Sequence, residues 1–371
     1  SSNSCMVYML EYVLWCVEEE KLRKRIDMKK VCVIGHFGFG ENLLNGQTIK
    51  TKIVTNELDK QFGADQVVKI DTHGGAKALP SVVFQMIKAF RECDNIIIFP
   101  AHNGIKIFVP LCNSINQFFH RRLYYVVIGG WLTEFLKKRK NLTKALMSFD
   151  GIYVETNTMR KALEIQKFNN VYVMPNFKDL NILKESELVY PNTEPYSLCT
   201  FSRVMKEKGI EDAVNAVKTV NEHFGRTVYT LDIYGQVDSA QTEWFNELEN
   251  TFPSYIKYGG LVPFDKSVEV LKNYFALLFP TYYEGEGFAG TLLDAMAAGV
   301  PVVASDWRYN SEIVNEKNGY VYPVHDNYAF IDTLINVGNN LDLLLSKKPS
   351  CLKEAEKYKA ENVIQCLISK F

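Results

Sequence analysis

The chain of 371 residues reads as an α/β protein, with two doubly wound, Rossmann-like domains in tandem. Three observations predict this. Short apolar runs alternate with helical stretches from Val31 onward; the alternation stops in a Pro- and Asn-containing stretch; and the same alternation then begins again. In the first half the strand candidates are 31–34, 67–70, 96–99, 124–128, 151–154 and 171–174, with helical stretches such as 81–91 and 132–140 between them. In the second half they are 196–201, 229–234, 255–258, 276–279, 302–304 and 319–321, separated by helical stretches that include 209–224, 264–273 and 291–298. The expected division is an N-terminal extension at 1–27, a first domain at 28–176, a linker at 177–195, a second domain at 196–350 and a C-terminal helical segment at 351–371, helical over 353–369. Open α/β sheets bind ligands beyond the carboxyl ends of their strands, so two such domains facing each other would leave a cleft.

With 47% hydrophobic and 23% charged residues, the composition is that of a globular protein. Eight cysteines without a C-x-x-C pair fit a reduced, cytoplasmic setting better than a disulfide scaffold or a zinc site. No apolar run reaches the roughly 18 residues of a membrane span. Residues 28–176 hold 20 Lys+Arg against 11 Asp+Glu, a net +9, and the remainder holds 22 against 32, a net −10. The basic half suits an anionic partner such as a membrane face or a lipid-linked phosphate; the plainer reading is solvated helix faces. Within it, Phe118-Phe119-His120-Arg121-Arg122 and Leu136-Lys137-Lys138-Arg139-Lys140 mix apolar and basic side chains as anionic headgroups require, or are simply exposed helix ends. No nucleic-acid motif is present, and nucleic acid is not an expected partner.

In residues 1–27 an apolar stretch from Met6 to Val17 precedes a densely charged one. It reads as one amphipathic helix, too short to span a bilayer and without a cleavage site. Met28-Lys29-Lys30 running into Val31 looks like a natural chain start, which makes 1–27 an added or atypical extension; a helix lying on a membrane is the functional alternative.

The most informative stretch is 280–301, PTYYEGEGFAGTLLDAMAAGVP. A strand end, a glycine-rich turn and a helix opening follow one another there. Backbone N–H groups at a helix start bind anions, and Glu286 and Asp294 beside them can take the hydroxyls of a sugar nucleotide. The stretch resembles the retaining glycosyltransferases of family 4, whose pattern is E-G-F-G, a short apolar run, a second Glu, then A-M-A-x-G-x-P-V. Asp294 stands where the family usually has Glu. The resemblance covers about 28–371 and implies the GT-B fold, with its nucleotide-sugar donor held by the second domain.

Phe201-Ser202-Arg203-Val204-Met205-Lys206-Glu207-Lys208-Gly209 is similar to the family's G-R-x-x-x-x-K-G segment. The resemblance gives Arg203 and Lys208 the donor diphosphate, whose charge grows as the glycosidic bond breaks. Arg offers a bidentate fork and Lys a point charge. With no D-x-D, metal independence is expected and no cofactor is called for. By the same carry-over Glu286 bonds a donor-sugar hydroxyl and Asp294 the ribose hydroxyls. Gly287, Phe288, Ala289 and Gly290 lie under the sugar and phosphates, Gly235 ends a strand near the donor, and the turn holding Leu261 reads the base. In the first domain Gly46, in Asn45-Gly46-Gln47, matches one glycine of a segment near the diphosphate. Gly130 stands in for an absent histidine, and His102, at a strand end, and His36 are sugar or acceptor contacts. For His102 a satisfied structural histidine is the equal alternative.

The reaction implied is sugar transfer from a nucleotide sugar to a glycan or lipid-linked acceptor, of the kind found in polysaccharide gene sets, on a cytoplasmic enzyme at the inner membrane face. Two other classes stay open: another GT-B enzyme, such as a nucleotide-sugar epimerase or a phosphorylase, and a catalytically silent nucleotide-sugar-binding partner. Intact Arg203, Lys208 and Glu286 argue against silence.

Overall fold

The computed structural model describes residues 2–22, 28–41 and 46–371. It comprises two compact units, one of Ser1–Pro175 with Val363–Phe371 and one of Asn176–Asn362. Asn45, residue 1 and residues 23–27 lie outside the described residues, so the expectations for them stand as made.

Among the described residues each unit carries a parallel six-stranded sheet. The first holds β1 (Lys29–Gly35), β2 (Val67–Asp71), β3 (Cys93–Ile98), β4 (Arg122–Val126), β5 (Gly151–Val154) and β6 (Val171–Val173), in the order β2-β1-β3-β4-β5-β6. The second holds β7 (Tyr196–Phe201), β8 (Tyr229–Tyr234), β9 (Ile256–Gly260), β10 (Ala276–Phe279), β11 (Val302–Asp306) and β12 (Gly319–Pro323), in the order β12-β11-β10-β7-β8-β9. Parallel strands covered on both faces read as unbroken apolar runs. Val31, Cys32, Val33 and Ile34 are buried accordingly, as are Ile96, Ile97 and Ile98.

Strand order reverses between β1 and β3 in one sheet and between β7 and β10 in the other. Those switch points are where open α/β sheets hold ligands. In the second unit the helix Ile210–Phe224 lays Ile210, Ala213, Val214, Val217 and Val220 on the sheet at helical spacing, all buried. Each valine or isoleucine so buried contributes roughly 1.5–3 kcal/mol.

Three expectations need correction. The helix expected over 132–140 is two helices, Leu132–Leu136 and Lys140–Leu146. Arg139 breaks it by folding back, its guanidinium 3.8 Å from the Phe135 ring centroid and its Nη1 donating to the Phe135 carbonyl at 2.7 Å. The helix expected over 353–369 is likewise interrupted: Leu341–Glu356 ends, and Lys359 forms a parallel bridge with Lys178 before the short helices Ala360–Val363 and Gln365–Ile368. The last residues belong to the first unit, where Tyr124 Oη donates to the Lys370 carbonyl at 2.9 Å. In the helix Ser2–Leu22 the apolar and charged residues divide along its length, not between two faces. Its Tyr12 ring stacks on Phe84 at 4.8 Å and its Glu19 pairs with Arg91 at 2.7 Å, while Leu10, Leu14 and Trp15 are exposed. Among the described residues no helix is long and apolar enough to cross a membrane.

Residues 177–195, expected as a linker, pack on the second unit: Leu183 N–H donates to the Ala297 carbonyl at 3.0 Å. Arg121, in one of the two basic clusters, is spent structurally, with Nε donating to the Phe90 carbonyl at 2.6 Å. Lys137, Lys138 and Lys140 of the other cluster are exposed.

Candidate donor site

In the second unit, two glycines allow the strand ends at the switch point to meet. A Cβ on Gly209 (φ 73°) would lie 2.0 Å from the Pro280 carbonyl oxygen. A Cβ on Gly235 (φ 129°) would lie 1.7 Å from the Ser202 carbonyl oxygen. Any larger residue would push the segment after β7 away from the ends of β10 and β8. The Gly235 peptide is also held on both sides: its N–H donates to the Gly260 carbonyl at 3.0 Å, and its carbonyl accepts from Tyr258 Oη at 2.6 Å.

This close approach brings Lys208 to Glu286. Lys208 Nζ lies 2.9 and 2.7 Å from Glu286 Oε1 and Oε2, and Thr281 Oγ1 donates to Oε2 at 2.7 Å. The side chains are only 11% and 7% exposed, so the pair is shielded from water. The ammonium also lies 4.8 Å from the Tyr283 ring centroid. The turn carrying Glu286 is fixed from behind, with Ser305 Oγ donating to the Thr281 carbonyl at 2.6 Å and Trp307 Nε1 to the Tyr283 carbonyl at 2.7 Å. Arg203 is more exposed and pairs with Asp238, which follows β8.

The helix Gly290–Ala297 opens with no side-chain cap on its first turn. Asp294, on that helix, is buried; burial pushes its carboxyl up, opposed by the Lys178 ammonium at 2.7 Å from Oδ2. A Cβ on Gly290 would lie 2.7 Å from Lys178 Cε, so the glycine makes room for this lysine. Gly287 and Ala289 are half-buried, and Leu261 is exposed after Gly260 (φ 81°). Phe288 is expected to offer its backbone amide to the donor, and its side chain turns inward. Its ring is core, edge-on to Tyr358 at 5.4 Å, and its carbonyl accepts from Asn176 Nδ2 at 2.9 Å.

In the first unit, Asp71 at the end of β2 accepts N–H bonds from Phe37, Gly38, Phe39 and His73. Burial pushes its carboxyl up, but these four donors outweigh that and leave it below its ordinary range. The loop they anchor presents His36, whose Nδ1 is 2.7 Å from Thr48 Oγ1 and whose Nε2 is 3.0 Å from His73 Nδ1. Gly46 is exposed and opens the helix Gly46–Phe62. Gly130 is half-buried and follows Gly129 (φ 86°), whose N–H donates to the Glu155 carboxylate. Glu155 is itself buried; burial raises its carboxyl, against the pull of Lys50. His102 does not end a strand: β3 stops at Ile98, and His102 is the first residue of the helix His102–Phe119, its ring stacked on Trp131 at 4.0 Å. A cavity of about 490 Å³ lies past the ends of β1 and β3, lined by His36, Gln47, Leu79, Phe99, His102 and Phe108 among others.

The structure thus brings Lys208 and Glu286 together, gives Arg203 a different partner, and covers Asp294 with a residue the sequence reading passed over. Lys178, Thr281 and Asp238 in the second unit and Asp71, His73 and Glu155 in the first went unnoticed. Asp71 ends a strand and Asp238 closely follows one, which is a legible signal; Lys178 sits where the sequence reads as linker.

Residues 195–340 match the family model described as glycosyl transferases group 1. The GtfA subunit of the UDP-N-acetylglucosamine–peptide N-acetylglucosaminyltransferase of Streptococcus gordonii is 30% identical over 198 residues, 50% of this chain. The chain spans only 38% of that relative's length. Among solved structures, Anabaena HepE in complex with UDP superposes with a TM-score of 0.69 at 13% identity, covering 92% of this chain and 99% of that one. Sucrose-phosphate synthase from Thermosynechococcus elongatus superposes with a TM-score of 0.68 at 13% identity, covering 92% and 98%. Residues 195–340, which span β7 to β12, thus match the group 1 glycosyl transferases, and the two parallel six-stranded sheets give the chain the GT-B fold.

Proposed function

We propose that the protein is a retaining glycosyltransferase that moves a sugar from a nucleoside-diphosphate sugar to a glycan or lipid-linked acceptor in surface polysaccharide synthesis. The observation that carries this reading is the shielded Lys208–Glu286 pair at the switch point of the second sheet, beside an uncapped helix opening. Lys208 and Arg203 offset the charge that gathers on the diphosphate as the C1–O bond breaks, and the amides at Gly290 add to them. Glu286 orients the donor sugar through a hydroxyl. The acceptor oxygen bonds to C1 on the face the diphosphate leaves, and its proton passes to the departing phosphate oxygen, so no enzymatic nucleophile is required. Positioning and charge stabilisation then supply the rate. In the first unit, Gly46 and Gly130 are proposed donor contacts, and His36 and His102 proposed sugar or acceptor contacts. Exposed Lys137, Lys138 and Lys140 suit an anionic membrane surface on the cytoplasmic side.

The relative's name and the HepE complex make a UDP-sugar the first donor to try. The test is Glu286→Ala: loss of donor turnover with nucleotide binding retained supports a transferase. Binding without turnover by wild type on every acceptor supplied would move the assignment to a silent binding partner.

A further inference from the structure

In the first unit a cavity of about 680 Å³ opens between the helix His102–Phe119 and the junction of the helices Leu132–Leu136 and Lys140–Leu146. Lys106, Lys137, Lys138, Arg139 and Lys140 line it, and no Asp or Glu does. An unbroken helix, at 3.6 residues per turn, would point residues 137 to 140 to different sides. The break at Arg139 turns all four toward one opening. The Phe135 ring gathers cations from both sides of the junction: the Arg139 guanidinium is 3.8 Å from its centroid and Lys106 Nζ is 5.6 Å away. Asn113 Nδ2 donates to the Ala145 carbonyl at 2.9 Å and ties the two helices that flank the cavity. Exposed Glu134 pairs with Lys137 and offsets one charge. Lys106, Lys138, Arg139 and Lys140 pair with no carboxylate among the described residues.

We propose that this cavity binds a terminal phosphate or diphosphate carried by a lipid. Cations gathered without an acid repel one another, and an anion with more than one charge relieves that repulsion. Arg139 has five N–H donors, of which the Phe135 carbonyl takes one, and the lysine ammoniums add point charges on flexible stems. Ile107, next to Lys106 on the same helix, is 45% exposed and lines the apolar cavity past the ends of β1 and β3. Cations beside exposed hydrocarbon match the head-to-tail order of a lipid phosphate, which a free phosphate lacks. The inference deepens the reading of this surface as one that meets an anionic membrane, and it rests on that reading. A diffuse attraction to negative charge becomes a pocket that distinguishes a phosphomonoester from a phosphodiester.

The experiment is flotation of the full chain with phosphatidylcholine vesicles containing either phosphatidic acid, a monoester, or phosphatidylglycerol, a diester, mixed to equal surface potential. Calorimetry of pyrophosphate is run alongside. The pocket variant is Lys106→Gln with Lys138→Gln, both exposed; the control, Lys88→Gln with Lys161→Gln, removes the same charge from exposed positions elsewhere in the first unit. The expected result is that wild type and the control bind phosphatidic acid vesicles about tenfold more tightly than phosphatidylglycerol vesicles, and that the pocket variant loses the preference. Equal weakening by both variants on both vesicles overturns the pocket and leaves the anionic-surface reading in place. Saturable binding of pyrophosphate without any preference for phosphatidic acid overturns the lipid assignment in favour of a free phosphate. No binding of wild type to either anionic vesicle or to pyrophosphate overturns the surface reading itself, an outcome separate from the other two.

Discussion

Lys208 Nζ reaches both carboxylate oxygens of Glu286, at 2.7 and 2.9 Å, across 78 residues of sequence. The contact joins the segment after β7 to the turn after β10, and it is at once a structural tie and the centre of the proposed chemistry. Removing either partner leaves the other charge buried and unpaired, which costs about 3–5 kcal/mol. Lys208→Met is expected to lower the unfolding midpoint in urea and to reduce kcat with the best donor by about 100-fold or more. Thr281→Val, which removes the hydroxyl that donates to Glu286 and accepts from the Tyr283 N–H, should cost about 1.5–3 kcal/mol. A Lys208→Met protein with wild-type turnover would remove the pair from the mechanism.

Arg203 provides the contrast. Its side chain is 58% exposed and paired with Asp238, so Arg203→Ala should change stability by no more than about 0.5–1 kcal/mol. Turnover should nevertheless fall by about 100-fold, because its role begins only when the diphosphate is leaving. Parallel thermal melts and single-turnover kinetics separate the two effects.

Gly235→Ala should be among the most damaging small substitutions in the second unit. The new methyl would meet the Ser202 carbonyl oxygen at 1.7 Å at a φ of 129°. Strain of this kind costs on the order of 3 kcal/mol, or roughly 6–12 °C in melting temperature for a unit of this size. Gly225→Ala, also at positive φ but with nothing near its Cβ, is the control and should lose less.

Asp71 sets a pH dependence in the first unit. Its folded-state pKa lies below the ordinary value of 3.8, held there by backbone donors against the effect of burial. Its contribution to stability is therefore complete above pH 3.8 and is lost as pH falls through the lowered folded value. Asp71→Asn should lower stability at neutral pH and flatten the acid limb of the stability curve below pH 4, measured by urea titration.

The strands were legible because each is a short, doubly buried apolar run: Val31 to Ile34 and Ala276 to Phe279 announce themselves by composition alone. The glycines and charges of 280–301 carried the donor-site reading, since Glu286 and Lys208 lie in motifs with recognisable spacing. Long-range partnerships were not legible. Nothing local tells that Lys359 bridges to Lys178, or that the Phe288 ring turns inward to Tyr358. Lys178 escaped notice because its meaning depends on Asp294, which lies 116 residues away.

The most direct measurement is a thermal-shift panel of UDP-, GDP- and ADP-sugars, with and without EDTA, on wild type and Arg203→Ala. Stabilisation of wild type by one nucleotide series, unchanged by EDTA and absent in the variant, is the expected result for a metal-independent diphosphate site in the second unit. No stabilisation by any nucleotide sugar, under conditions where a control transferase responds, would contradict that site.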